Sequence, residues 1–202
     1  IRELAGQVSA TISVDTTRAE VAAAALDAGA SWINDTSALT EDEGLVTVVA
    51  ERRAPIVLMH RFDPPRRAED RPPPGRALVR QLTDALRARV EHATRSGIDR
   101  QRIVLDPGIG FGTLADDNLA MHAFVDELRA LDLPLLFGTS RKSFLGRLSR
   151  AADDRLAATA GSVACLAMAG VEILRVHDVA AMRDVVTVVD AVRAARRAGG
   201  DA

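Results

Sequence analysis

Six times along the chain a short apolar run gives way to side chains that can bind, orient or carry charge. They are ISVDT (12–16), WINDTS (32–37), IVLMHR (56–61), IVLDPGIGFG (103–112), LLFGTSRKS (135–143) and ILRVHDV (173–179). Asp15 ends a run that reads as a strand buried on both faces, and its carboxylate serves either a ligand or the next helix. Thr16 and Thr17 are better placed for that capping role. Asn34 offers a donor and an acceptor together, which suits the edge of a heterocycle, whereas Asp35 reads as a cap or turn. Asp106-Pro107-Gly108 is a rigid turn, and Gly108, Gly110 and Gly112 make a loop that a ligand can approach closely. Its spacing is neither that of a dinucleotide fingerprint nor that of a Walker loop. Phe111 inside it is either a wall for a flat ring or a core plug.

The chain has twenty-five arginines and one lysine, Lys142. Surface positions accept either cation, but a site that needs a compact ammonium does not accept a planar guanidinium. Lys142 stands in TSRKS, where Arg141 beside it would lower its pKa and the flanking hydroxyls suit an anion. In RVHDV, strand alternation puts Arg175 and His177 on one side. An Arg and a His before a helix N-terminus suit phosphate or pyrophosphate, with Asp178 read as the cap of that helix. His60 and Met59 stand at a tip, Trp32 reads as core, and His92 and His122 read as helix-surface residues. No metal-binding spacing and no Ser–His–Asp set occurs. These residues alone describe an enzyme acting on a phosphorylated ring compound.

Segments of helical periodicity separate the six runs, as in RAEVAAAALDAG, 41–53, 76–96, 116–130 and 154–169. Repeated strand, polar tip and helix builds parallel βα units whose tips gather on one face, and in barrels the chemistry sits there. The predicted class is α/β, a (β/α)8 barrel of which this chain supplies about six units in one domain, 1–202. An open doubly wound sheet is the alternative. Six units fall short of eight, and IRELAGQ reads as the tail of a helix, so two units are expected upstream of residue 1. The loop 62–75, FDPPRRAEDRPPPG, reads as solvated and mobile, either a lid or a linker.

A net charge of −2 gives no general attraction to nucleic acid or anionic membrane. No apolar run approaches the roughly 18 residues of a membrane span. The single cysteine, Cys165, sits in an Ala-rich helical segment and reads as a small core residue. A cytoplasmic protein is expected.

In order, ISVDT, INDTS, VLMH, LDPGIGFG, GTSRKS and LRVHDV resemble the strand tips of the dihydropteroate synthases. That family joins 6-hydroxymethyl-7,8-dihydropterin pyrophosphate to p-aminobenzoate in folate synthesis and is the target of sulfonamides. The resemblance implies that Asp15, Asn34, Asp106 and Lys142 hold the pterin beside Gly138, with Met59 and Phe111 packing on its ring. Asp15, Asp106 and Lys142 would be the catalytic residues. Ser140, Arg141 and Lys142 would border the p-aminobenzoate site, and Arg175 and His177 would bind pyrophosphate. It also implies Mg²⁺ on the leaving group and a homodimer. The family's first-strand asparagine, which helps to hold the metal, has no counterpart here, so the metal ligand is expected upstream of residue 1. A pterin-binding methyltransferase would not need TSRKS or RVHDV. A Schiff-base aldolase using Lys142 and a silent pterin-binding paralogue are the other readings.

Overall fold

The computed structural model describes residues 1–149 and 154–199. A short helix, α1 (Arg2–Ala5), precedes β1 (Ser13–Asp15), α2 (Ala19–Asp27), β2 (Trp32–Asp35), α3 (Glu43–Arg52), β3 (Ile56–Met59) and α4 (Arg76–Arg95). Then come β4 (Ile103–Asp106), α5 (Ala115–Ala123), α6 (Val125–Arg129), β5 (Leu136–Phe137), α7 (Ser143–Gly146), α8 (Leu156–Met168), β6 (Ile173–Leu174) and α9 (Val179–Gly199). β1 to β4 pair in chain order, all parallel, and β5 pairs with β6. A parallel bridge from Leu105 to Leu135 joins the two sheets. These are six consecutive units of a (β/α)8 barrel.

Alternation along the strands separates two apolar layers. Ile33, Ile56, Leu58, Ile103, Leu105, Leu135 and Phe137 point outward into the core under the helices. On α4, Leu78, Val79, Leu82, Leu86, Val90 and Ala93 recur at helical spacing and are buried. Each such Leu or Ile stabilises the fold by roughly 1.5–3 kcal/mol. Val57, Val104 and Leu136 form the inner layer, packed against Trp32 and Ile173. Trp32 is therefore a core contact, as its sequence context suggested.

Several local expectations need correction. β1 is not buried on both faces: Ser13 and Asp15 are exposed, because among the described residues only β2 pairs with it. Thr16 and Thr17 do not cap α2. Asp42 does, accepting from Ala19 N–H at 2.7 Å while its other oxygen accepts from Gly44 N–H of α3 at 2.9 Å. One carboxylate thus serves two helix starts. The helix expected over 116–130 breaks at Phe124, whose φ of −122° and ψ of 42° are not helical. His122 is not a surface residue. Its ring bonds the Asn118 carbonyl at 2.7 Å and Ser162 Oγ at 2.8 Å, against Phe137 and Phe144. Cys165 is exposed rather than buried. Among the described residues no helix is long and apolar enough to cross a membrane.

Candidate active site

Strand register aligns the tip residues. Asp15 stands beside Asn34, and Met59 beside Asp106. Asn34 is buried; its amide donates to the Asp15 carboxylate, and its own Oδ1 has no partner among the described residues. A buried acceptor without a donor is costly, so this oxygen is suited to a ligand N–H. Asp15 stays largely exposed and accepts from Arg175 Nη1 at 3.2 Å. One side-chain contact thereby links the end of β6 to the end of β1, so the tip residues form a ring although the two strands do not pair.

Asp106 lies fully inside this ring, with Oδ1 accepting from Gly108 N–H at 2.8 Å. Burial pushes its carboxyl up to about 6, against the Gly108 bond and the positive charges of Arg175 and Lys142. Lys142 is half-buried, and its ammonium stands 4.4 Å from the centroid of Phe111. Burial, followed by the charge of Arg175, holds Lys142 below the usual lysine range, while Asp106 pulls the other way. The expectation that Arg141 would do this is wrong. Arg141 lies at φ +58°, and its guanidinium forks onto Asp178 at 2.6 and 3.0 Å. Asp178 consequently spends its carboxylate on Arg141, although its backbone carbonyl opens α9.

Gly138 leaves room for Arg175. A Cβ there would lie 3.3 Å from Nε and 3.4 Å from Nη2, so the guanidinium rests on the end of β5. The alternation argument for Arg175 and His177 fails because β6 ends at Leu174. Arg175 turns to Asp15, and His177 turns to Ser140, whose buried Oγ lies 3.0 Å from Nδ1 and accepts from His177 N–H at 3.2 Å. The candidate residues therefore form two groups. Asp15, Asn34, Met59, Asp106, Phe111, Gly138, Lys142 and Arg175 line the ring; Ser140, Arg141 and His177 form a rim beside it. Below the tips a cavity of about 310 Å³ is lined by Asn34, Val57, Leu136, Ile173 and Arg175. A hollow of about 430 Å³ at the opposite end, between α3 and α4, carries no such cluster.

The glycine loop serves its own chain before any ligand. A Cβ on Gly108 would fall 1.8 Å from the His60 carbonyl oxygen, and one on Gly112 would fall 2.1 Å from that of Phe62. His60 itself is mostly buried, edge-on to Phe62 at 4.6 Å, and burial pushes it down to about 4, so it is neutral at physiological pH. The 62–75 segment is mostly exposed, as expected, but carries one anchor: Arg66 is buried and ion-paired to buried Asp117 at 3.1 Å. Sequence reasoning missed Arg66, Asp117 and Asn118. The only signals were the acid-led start of α5 and one arginine among three in a proline-rich loop.

Among the described residues no three His, Cys, Asp or Glu gather as a metal site. Asp15, the exposed carboxylate at the tips, is ion-paired to Arg175. Mg²⁺ is usually held by one or two carboxylates together with waters and substrate phosphates rather than by an all-protein cage, and Asp15 could supply one such carboxylate.

Buried polar groups for a ring and a cation for an anion, at the tips of a parallel barrel, define an enzyme site of the barrel type. The chain belongs to the pterin binding enzyme family, which it matches over residues 1–177. It is 40% identical over 195 residues to the dihydropteroate synthase of Synechocystis sp., covering 95% of this chain and 67% of that protein. The Mycobacterium leprae dihydropteroate synthase is 41% identical over 199 residues, covering 95% and 69%. The chain thus spans about two thirds of their length. Xanthomonas albilineans dihydropteroate synthase with 4-aminobenzoic acid superposes with a TM-score of 0.87 at 37% identity, over 96% of this chain and 68% of that one. The Coxiella burnetii dihydropteroate synthase in complex with pteroic acid gives 0.88 at 28%, over 95% and 72%.

Proposed function

We propose that this chain carries the pterin and leaving-group machinery of a dihydropteroate synthase, a transferase of folate biosynthesis. The observation that carries the reading is the stack of Lys142 on Phe111 beside Asp106 and Asn34. A flat ring fits against Phe111 and Met59, with its N–H groups on Asp106, the free Asn34 oxygen and Asp15, and its acceptors on Lys142. The C–O bond between the pterin methylene and pyrophosphate breaks, and Arg175 neutralises charge on the departing anion. The p-aminobenzoate nitrogen forms the new C–N bond and releases a proton to solvent. That amine approaches along the Ser140, Arg141 and His177 rim, where His177 also borders the pyrophosphate. Asp106, Asp15 and Lys142 touch the reacting ring and are the proposed catalytic residues.

Mg²⁺ would offset charge on the pyrophosphate; the groups present do not cage it, and no step above depends on it. The family resemblance supports a homodimer in the cytoplasm, and α9 offers exposed Val188 and Val192 for such an interface.

The test is p-aminobenzoate-dependent pyrophosphate release from the pterin pyrophosphate with Mg²⁺, using the complete reading frame. Release that needs both substrates supports the synthase. A folded protein that binds pterin without release would be a silent paralogue.

A further inference from the structure

The first turn of α5 holds two buried polar residues that the proposed chemistry leaves unused. Asp117 is fully buried and Asn118 nearly so. Asp117 Oδ2 accepts from Leu114 N–H at 2.8 Å and from Arg66 Nε at 3.1 Å; its Oδ1 has no partner among the described residues. Arg66 also donates from Nη2 to the Pro72 carbonyl at 2.8 Å, and its guanidinium lies 5.3 Å from the Phe62 centroid. Asn118 Oδ1 accepts from Gly110 N–H at 3.0 Å and from the Thr113 hydroxyl at 2.8 Å.

The Asn118 bonds reach the loop that carries Phe111, and the Arg66–Asp117 pair anchors the segment beside it. Asn118 holds the residue before it. The residue after it, Gly112, accepts from Arg66 N–H at 2.8 Å, and Phe111's own carbonyl accepts from Phe62 N–H at 3.2 Å. The irregular strap 62–66, bent at Asp63 and Pro64, therefore meets the glycine loop at Phe111 and Gly112 and is fastened at its far end by the Arg66–Asp117 pair. A buried ion pair with one oxygen unsatisfied is a weak way to stabilise a fold, since apolar residues of similar volume do as well. Its position, one strap away from Phe111, gives it another use.

We infer that Arg66 is a positioning residue: through Asp117 and the 62–66 strap it fixes the plane of Phe111 beneath Lys142 and so sets affinity for the flat bicyclic ring. The 62–66 strap is then a support behind the glycine loop. This rests on the function proposed above, and Arg66 itself does not touch the ring.

The test removes the charges of the pair but keeps the acceptor for Leu114 N–H, Arg66→Met with Asp117→Asn, in the complete reading frame. Binding of 6-hydroxymethylpterin is followed by its fluorescence, and KM is measured for both substrates. The double variant should melt near the parent temperature, bind pterin about tenfold more weakly, and keep its KM for p-aminobenzoate within about twofold. Arg66→Lys, which keeps the charge but not the fork to Pro72, should fold and lose part of the pterin affinity. Pterin affinity within about twofold of the parent in either folded variant would overturn the inference. So would an equal loss for both substrates, or failure of both variants to fold, since either makes the pair a general element of the core. A parent that binds no pterin would instead overturn the functional reading, and this inference with it.

Discussion

The ammonium of Lys142 stands 4.4 Å from the centre of the Phe111 ring, and its side chain runs along Gly110, where an added Cβ would come within 3.1 Å of Cδ. The chain's one lysine is thus held between an aromatic face and a bare stretch of backbone. A guanidinium is wider than this slot and fixed in shape. Lys142→Arg should fold normally and lose about 10²-fold or more in kcat/KM, within the range for removing one preorganised electrostatic contact. Turnover within about threefold of the parent would remove Lys142 from the mechanism.

The same uniqueness gives a chemical handle. Lys142 is the one lysine among these 202 residues. Because burial and Arg175 hold Lys142 below the usual lysine range, acylation at Lys142 should rise at lower pH than for free lysine. Saturating pterin should protect it. Labelling at Lys142 that ignores pterin would place the ring elsewhere.

Asp106 links affinity to pH with a definite sign. Its folded-state value, about 6, lies above the unfolded value of 3.8. Between those values the folded chain binds the extra proton, so stability falls as pH rises from about 4 to about 6, and the cost is complete above that. A shift of this size corresponds to about 3 kcal/mol. Asp106→Asn keeps an acceptor for Gly108 N–H and removes the charge. It should melt higher than the parent at pH 8, show little difference at pH 4, and bind pterin poorly. Parent pterin affinity should also fall as pH drops below about 6. Equal melting temperatures for the two proteins at pH 8 would mean that Asp106 carries no such strain.

The barrel was legible because six apolar runs each end in polar tips, and only parallel units put Asp15, Asn34, Asp106, Lys142 and Arg175 on one rim. The ring-lining group follows from that placement. Partner choice was not legible. Arg141 is next to Lys142 in sequence, yet a left-handed backbone at Arg141 turns it to Asp178. Arg175, far away in sequence, is the cation that acts on Lys142. Asp42 capping two helices and Arg66 reaching Asp117 are likewise contacts from a loop residue to a helix start distant in sequence, which periodicity does not encode.

Gly138 matters through Arg175. A methyl at 138 meets the guanidinium at 3.3–3.4 Å, tighter than ordinary contact, against a side chain that can move. Gly138→Ala should therefore fold, shift Arg175 off the end of β5, and raise KM for the pterin pyrophosphate about tenfold. Binding of unphosphorylated 6-hydroxymethylpterin should change much less. An equal loss for both ligands would argue that Arg175 serves the ring rather than the leaving group.

Two glycines of one loop should fail in opposite ways. Gly108 and Gly110 share φ +79°, so alanine at either carries the strain of a left-handed backbone, about 1–2 kcal/mol. At Gly108 the new methyl would also fall 1.8 Å from the His60 carbonyl oxygen, a backbone atom held by the pairing of His60 N–H to Asp106 O at 2.9 Å. Nothing there can yield without parting β3 from β4, and Gly108→Ala should destabilise the fold by more than about 3 kcal/mol. At Gly110 the methyl meets the far part of the Lys142 side chain, which can swing away. Gly110→Ala should stay folded, with a melting temperature only modestly lowered, and lose turnover nearly as completely as Lys142→Arg. Melting curves and kcat for the two variants check this together. A Gly110→Ala protein with normal turnover would show that Lys142 acts without its place beside the glycine loop.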